Sequence, residues 1–421
     1  MRNVPGMFPE CSQKFPRNFR DDYSQKLIIR FLYITHSNFN MAVPLPLSLC
    51  KTSNVSLRKN THRQHNIVPA YKRNPIIRTY DKCFHNQKVF GKRIADAFLS
   101  NSSLVNQLAI APTQSGKTGS MACLIYEIFQ NKLLRVPKEH VFIFTGHSST
   151  EWITQTKERF PSWMHSQIFH RNQALLLSQI LKSKKNVLLI IDECHIASKF
   201  NQTLYKLFNT ICNNQVDALY SLNYKIVQFT ATPESLHEHF SRIWGNAHSI
   251  SFMDVPKQYI SVERLISQNR VFQAKDLCCL NDPISLSVDF HLAISHIIEI
   301  KNHIDNMPHS YHIIRTPRAA LHNIVIQNFK RAFPSHFTFI STNDISNEQF
   351  DNILRVKPNN HTFLFIKDKL RCAKTIHHQF IGVLYERVSS KINKSSIIQG
   401  LLGRATGFHS NSHAVVFSYF I

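Results

Sequence analysis

The chain is 421 residues long, 43% hydrophobic and 18% charged, which supplies apolar material for two or three packed domains and excludes a disordered chain. Fifty Lys and Arg face 26 Asp and Glu, a balance that suits a polyanion such as DNA or RNA. Nine cysteines include no C-x-x-C pair, and Cys278 and Cys279 are adjacent, so neither a zinc site nor a disulfide framework is expected.

Residues 1–85 read as a basic N-terminal extension. Met1 to Phe90 carry 15 Lys and Arg against 4 acids, and Tyr71 and Tyr80 lie among them as candidates for stacking on bases. Glu10, Asp21 and Asp22 argue against a mitochondrial transit peptide. No apolar run approaches the ~20 residues of a membrane span. With no signal peptide, the expected location is cytoplasmic or nuclear, and not secreted.

From residue 86 the pattern becomes one of short apolar strands alternating with helices. Gln107–Ala111, Val141–Thr145, Asn186–Asp192 and Lys225–Thr230 read as strands, and Thr118–Gln130 as a helix. Continuous apolar strands between helices imply a parallel sheet buried on both faces. The stretch 251–285 has no clear periodicity and reads as a linker. A second α/β set over 286–421 follows, with strands at Tyr311–Arg315, Phe337–Ser341, Thr362–Ile366, Ile381–Tyr385 and Ala414–Tyr419.

Three motifs carry chemistry. Ala111-Pro-Thr-Gln-Ser-Gly-Lys-Thr118 lies between a strand and a helix, the setting of a phosphate-binding loop. Backbone N–H groups of such a loop, from Thr113, Gln114, Ser115 and Gly116, converge on phosphate oxygens at a helix N-terminus. Lys117 would neutralise the β and γ phosphates of ATP, and Thr118 would offer its hydroxyl to Mg²⁺. Ile190-Ile-Asp-Glu-Cys-His195 ends a buried strand about 75 residues later. There Asp192 would hold Mg²⁺ and Glu193 would polarise the attacking water. Phe229-Thr-Ala-Thr-Pro233 places Thr230 and Thr232 just past another strand.

In this order the three resemble motifs I, II and III of superfamily 2 helicases of the DEAD/DEAH type. The resemblance covers the chain from about residue 86 onward. It implies two tandem RecA-like (P-loop NTPase) domains with ATP and Mg²⁺ between them, and His195 coupling the acidic box to the threonines. By the same resemblance Gln87 would read adenine, and Thr145 and Gly146 would meet the nucleic-acid backbone. Ile313-Ile-Arg315 looks like motif IV, and Leu370-Arg-Cys-Ala-Lys-Thr375, with Arg371, like motif V. Gln399-Gly-Leu-Leu-Gly-Arg-Ala-Thr-Gly407 looks like motif VI. Arg404 would then reach the γ-phosphate from the second domain. Two departures stand out: Gln399 lies one residue further upstream than the common pattern, and Gly407 takes the place of a second arginine, so that either hydrolysis would be slower or Arg371 would supply the missing contact.

The last motif and the Thr145-Gly-x-x-Ser-x-x-Trp-x-x-Gln155 stretch look most like helicase-like proteins of large DNA viruses and phages, which would add the virion or virus factory as a location. The resemblance implies a DNA or RNA helicase. A translocase or restriction-type motor that does not unwind, a catalytically weak binding protein, and a P-loop kinase of a small metabolite are the competing readings.

Overall fold

Two parallel sheets of six strands organise the chain, as a computed structural model shows. Residues 67–421 form one compact unit. The structure describes residues 75–421 except 149, 196–201, 213–214, 234–243, 283, 334–336, 343–344, 368–369, 371–375, 389–397 and 420–421. Tyr71 and Arg371, both singled out from sequence, lie outside the described residues.

The first lobe opens with α1 (Pro75–Asp81) and α2 (His85–Ser100), followed by β1 (Asn106–Ile110) and α3 (Lys117–Gln130). β2 (Val141–Thr145), α4 (Thr150–Arg159), β3 (Ile168–His170) and α5 (Ala174–Lys182) come next. β4 (Leu188–Asp192), α6 (Thr203–Cys212), α7 (Val216–Ser221), β5 (Lys225–Thr230) and β6 (His248–Phe252) complete it. The strand order is β3-β2-β4-β5-β1-β6, all parallel. Side chains alternate across the sheet, as the two-residue period of a strand requires. Leu188, Ile190, Val227 and Phe229 enter one core, while Leu189, Ile191, Ile226 and Phe144 enter the other.

α8 (Val262–Ser267), β7 (Val271–Gln273), β8 (Leu280–Asp282) and β9 (Ser287–Val288) lead into the second lobe. α9 (Phe290–Ile304), β10 (Tyr311–Arg315), α10 (Ala320–Ala332), β11 (Thr338–Ser341) and α11 (Asn347–Arg355) follow. β12 (Thr362–Ile366), β13 (Ile381–Tyr385), α12 (Leu401–Arg404) and β14 (Val415–Ser418) end it. The order β11-β12-β10-β13-β14-β7 is again parallel. The fold is therefore α/β with two RecA-like lobes, and the motif-bearing loops leave the carboxyl ends of strands, where open α/β sheets bind ligands.

Two sequence expectations are corrected. The stretch 251–285 is not a bare linker: Ser261 caps α8, and β7 adds an edge strand to the second sheet beside β14. Three residues are too few for an alternation to be read, and their pairing comes from a distant strand. The basic extension does not run to residue 85 either, because Ile76 of α1 is 1% exposed in the first core. Tyr80 is already engaged, its ring stacked on Tyr126 at 3.9 Å and its hydroxyl donating to Glu127. That ring is not presented to a base. Among the described residues, no helix is long and apolar enough to cross a membrane.

The second core buries His312 completely, with Nε2 3.0 Å from His361 Nδ1. Burial, reinforced by the neighbouring His361 and His413, holds its imidazole well below the ordinary range. A group whose pKa is depressed on folding binds protons more readily unfolded, so its contribution to stability is lost as pH falls below the unfolded value of ~6.5. One unit below that value, at about pH 5.5, His312 alone costs about 1.4 kcal/mol. The denaturation midpoint is expected to be lower at about pH 5.5 than at about pH 7.5, and to change less when His312→Leu is compared across the same pair. An equal drop in both proteins would remove His312 as the cause.

Candidate functional site

The loop after β1 turns because two of its residues adopt the left-handed backbone, Gln114 at φ 57° and Gly116 at φ 96°. Gly116 is also required by space, since a Cβ there would lie 1.8 Å from Gln87 Nε2. Gln87 belongs to the buried face of α2 with Phe90, Ile94 and Phe98. Its Oε1 accepts the Phe84 N–H at 3.0 Å. The carboxamide proposed to read adenine is thus turned onto the loop and forms part of its wall. Ser115 is fully buried, and its hydroxyl donates to the Pro112 carbonyl at 2.7 Å.

Lys117 opens α3 and extends to Glu193, with Nζ 3.1 Å from Oε1. Burial disfavours its ammonium, but the carboxylates of Glu193 and Asp192 outweigh that and raise its pKa. Glu193 lies just past β4 at φ 51°, a conformation that non-glycine residues adopt at a cost of order 1–3 kcal/mol. Burial pushes its carboxyl up, yet Lys117 and then His195 more than compensate and keep it ionised. Asp192 goes the other way: burial and the adjacent Glu193 charge push it up to about 6. Trp152 Nε1 of α4 donates to Asp192 Oδ2 at 2.8 Å, and the Glu193 N–H donates to Oδ1 at 3.0 Å.

His195 Nδ1 is 3.3 Å from Thr230 Oγ1 and 3.5 Å from Glu193 Oε2. Burial holds His195 below its ordinary range, against the opposing pull of the Glu193 charge. Thr230 Oγ1 accepts the Thr232 N–H at 3.0 Å, fixing the bend of the third motif.

The second lobe enters through Gln399. Its Nε2 donates to Glu193 Oε2 at 2.9 Å and lies 3.4 Å from His195 Nδ1 and 3.5 Å from Thr232 Oγ1. One amide therefore touches the acidic box and the third motif together. Arg404 is 3% exposed, and its Nη1 donates to the Gln399 carbonyl at 3.0 Å. The two loops also meet directly. Gln114 Nε2 donates to the carbonyls of Gly403 and Arg404 at 3.0 and 2.9 Å, and Thr113 Oγ1 is 2.9 Å from Thr406 Oγ1. Tyr259 seals the edge, its hydroxyl donating to the Thr113 carbonyl at 2.5 Å.

Gly407 departs from the common pattern for a local reason. Its φ is +117°, and a Cβ there would be 3.2 Å from Gln114 Cβ. Its N–H and carbonyl pair with Ile260 across an isolated bridge. No L side chain fits that backbone without strain.

Other expected residues are placed elsewhere. Arg315, expected to act on nucleic acid, is buried: Nε lies 2.8 Å from Glu386 Oε1 and Nη2 donates to the Leu370 carbonyl at 2.9 Å. Glu386 Oε2 in turn accepts the Leu401 N–H at 3.2 Å, so Arg315 braces α12 instead of offering charge to a phosphate. Thr145 is fully buried and its hydroxyl accepts the His147 N–H at 3.3 Å, with Gly146 buried beside it. Sequence reading assigned no role to Gln399, Trp152, Thr406 or Arg159. Gln399, Thr406 and Trp152 did stand inside quoted motifs, and that proximity was the available signal.

Lys117, Thr118, Asp192, Glu193, Gln399 and Arg404 line a single cavity of about 650 Å³. Among the described residues, no group of three or more His, Cys, Asp or Glu side chains could hold a metal by itself.

No model of a protein family matches the chain. An uncharacterized protein of Acanthamoeba polyphaga mimivirus is 27% identical over 362 residues, covering 79% of this chain and 85% of that protein. Among solved structures, the ATP-dependent type ISP restriction-modification enzyme LlaBIII bound to DNA is similar with a TM-score of 0.50 and 15% identity. The match covers 80% of this chain and 27% of that one. The E. coli DExH-box NTPase HrpB gives 0.49 at 10% identity, covering 80% of this chain and 41% of that one. S. cerevisiae Dbp5 bound to RNA and ADP BeF3 gives 0.45 at 12% identity, covering 77% and 82%. At these identities the likeness is one of fold alone: a tandem pair of RecA-like lobes.

Proposed function

We propose that the chain is a nucleic-acid-stimulated ATPase of superfamily 2, coupling hydrolysis to movement along, or separation of, DNA or RNA. The observation that carries this reading is the shared cavity, in which Lys117 and Glu193 from the first lobe meet Gln399 and Arg404 from the second. A triphosphate held there would bind both lobes at once, so hydrolysis and release would free one from the other.

In the step itself, a water oxygen bonds to the γ-phosphorus while the bond from that phosphorus to the bridging oxygen breaks. The electron pair of that bond stays on the β-phosphate of ADP, and the water proton leaves with the released phosphate. Glu193 orients the water, Lys117 draws off phosphate charge, and Arg404 does so from the second lobe.

The residues fit a magnesium ion. Asp192 and the Thr118 hydroxyl would hold it, together with substrate phosphates, which matches this ion's habit of using one or two carboxylates. Asp192 is raised to about 6 by burial and the Glu193 charge, a penalty that a bound cation would remove. When bound, the ion neutralises charge developing on the phosphates.

The test is ATP turnover by the full chain with single-stranded DNA, duplex DNA or RNA added separately. At least one is expected to raise turnover about tenfold or more, with the stimulation falling steeply as salt rises. Absence of turnover with all three would sink the reading. Strand displacement and triplex displacement then separate a helicase from a translocase.

A further inference from the structure

α4 ends at Arg159, which lies at the mouth of the cavity. Its Nη1 donates to Thr118 Oγ1 at 3.0 Å. Trp152, seven residues earlier on the same helix, donates to Asp192. Residues seven apart on an α-helix share a face. One face of α4 therefore reaches both groups that would hold the ion. Phe160, immediately after Arg159, is buried in the first core and pins the end of the helix.

Of the other cations that line the cavity, among them Arg78 and Lys82, two are clearly committed. Lys117 is paired with Glu193, and Arg404 is turned toward the Gln399 carbonyl. Arg159 has no carboxylate partner among the described residues, and its side chain is exposed. Position 407, which faces the same loop, strains any side chain placed there.

We propose that Arg159 is a further catalytic residue, supplied by the nucleotide-binding lobe itself. It binds the β- and γ-phosphate oxygens and neutralises the electron pair left on the β-phosphate as the bond to γ-phosphorus breaks. The guanidinium rests on the Thr118 hydroxyl. A triphosphate beside that hydroxyl would receive it. The planar fork of donors matches phosphate oxygens in pairs. This inference rests on the ATPase reading above.

The experiment compares the wild-type chain with Arg159→Ala and Arg159→Lys. For Arg159→Ala, kcat for ATP should fall about thirtyfold, less than for a fully buried donor because solvent screens an exposed one. Arg159→Lys should recover part of the loss, because it keeps charge but not the fork. Fluorescently labelled ADP should bind Arg159→Ala within about threefold of wild type, while the preference for a labelled non-hydrolysable triphosphate over ADP is lost. A kcat for Arg159→Ala within about threefold of wild type, or equal weakening of ADP and triphosphate, overturns the proposal. If Arg159→Ala does not fold, Arg159→Lys decides by the same ratio. Turnover that survives in Lys117→Ala, or is missing in wild type, counts against the ATPase reading instead, and the triphosphate-to-ADP ratio still judges Arg159.

Discussion

Lys117→Ala is expected to reduce ATP turnover by about 1000-fold or more, the range associated with losing a charge that faces the transferred phosphoryl group. The same substitution should also destabilise the empty protein. Lys117 and Glu193 are both largely buried, with side chains 13% and 6% exposed, and removing one partner of a buried pair costs about 3–5 kcal/mol because the other charge is left uncompensated. Gln399 and His195 remain beside Glu193, which softens that cost without restoring a cation. The two effects separate in Lys117→Ala/Glu193→Gln, which should melt closer to wild type and remain inactive. Turnover by Lys117→Ala within about tenfold of wild type would show that the cavity is not where ATP is hydrolysed.

Gly407→Arg should lower turnover about 100-fold, although it restores the residue that the common motif has at this position. At φ +117° a side chain is strained, at a cost of order 1–3 kcal/mol. Its Cβ would also press on Gln114, whose amide holds the Gly403 and Arg404 carbonyls. Displacing Arg404 by about 1 Å is enough for a 100-fold loss when catalysis depends on positioning. Gly407→Ala should share the strain and show a smaller loss. A Gly407→Arg protein that turns over faster than wild type would mean that the backbone described here is not the working one.

Much of the fold could be read because buried parallel strands are continuous apolar runs, and β2, β5, β10, β12 and β13 lie where such runs predict them. The loop from Ala111 to Thr118 and the Asp192–Glu193 pair were legible for a related reason: their chemistry demands particular residues at a strand end. What escaped was set by distant partners. β3 and β7 are three residues each and exist as strands only through β2 and β14. Arg315 reads as a free cation until Glu386, 71 positions on, is seen to claim it. Arg159 carries no local signature, because only the folding of α4 against β4 and α3 brings it to Thr118.

Among the described residues, the bonds joining the Thr113–Gln114 segment to the Gly403–Thr406 segment are all neutral. Dissolved ions screen charges but barely touch amide and hydroxyl contacts of this kind. The clasp between the halves and the grip on a polyanion therefore answer to different solution conditions. If the proposed reading holds, brine should strip the protein from nucleic acid while leaving the contacts of Thr113 and Gln114 with Gly403, Arg404 and Thr406 intact.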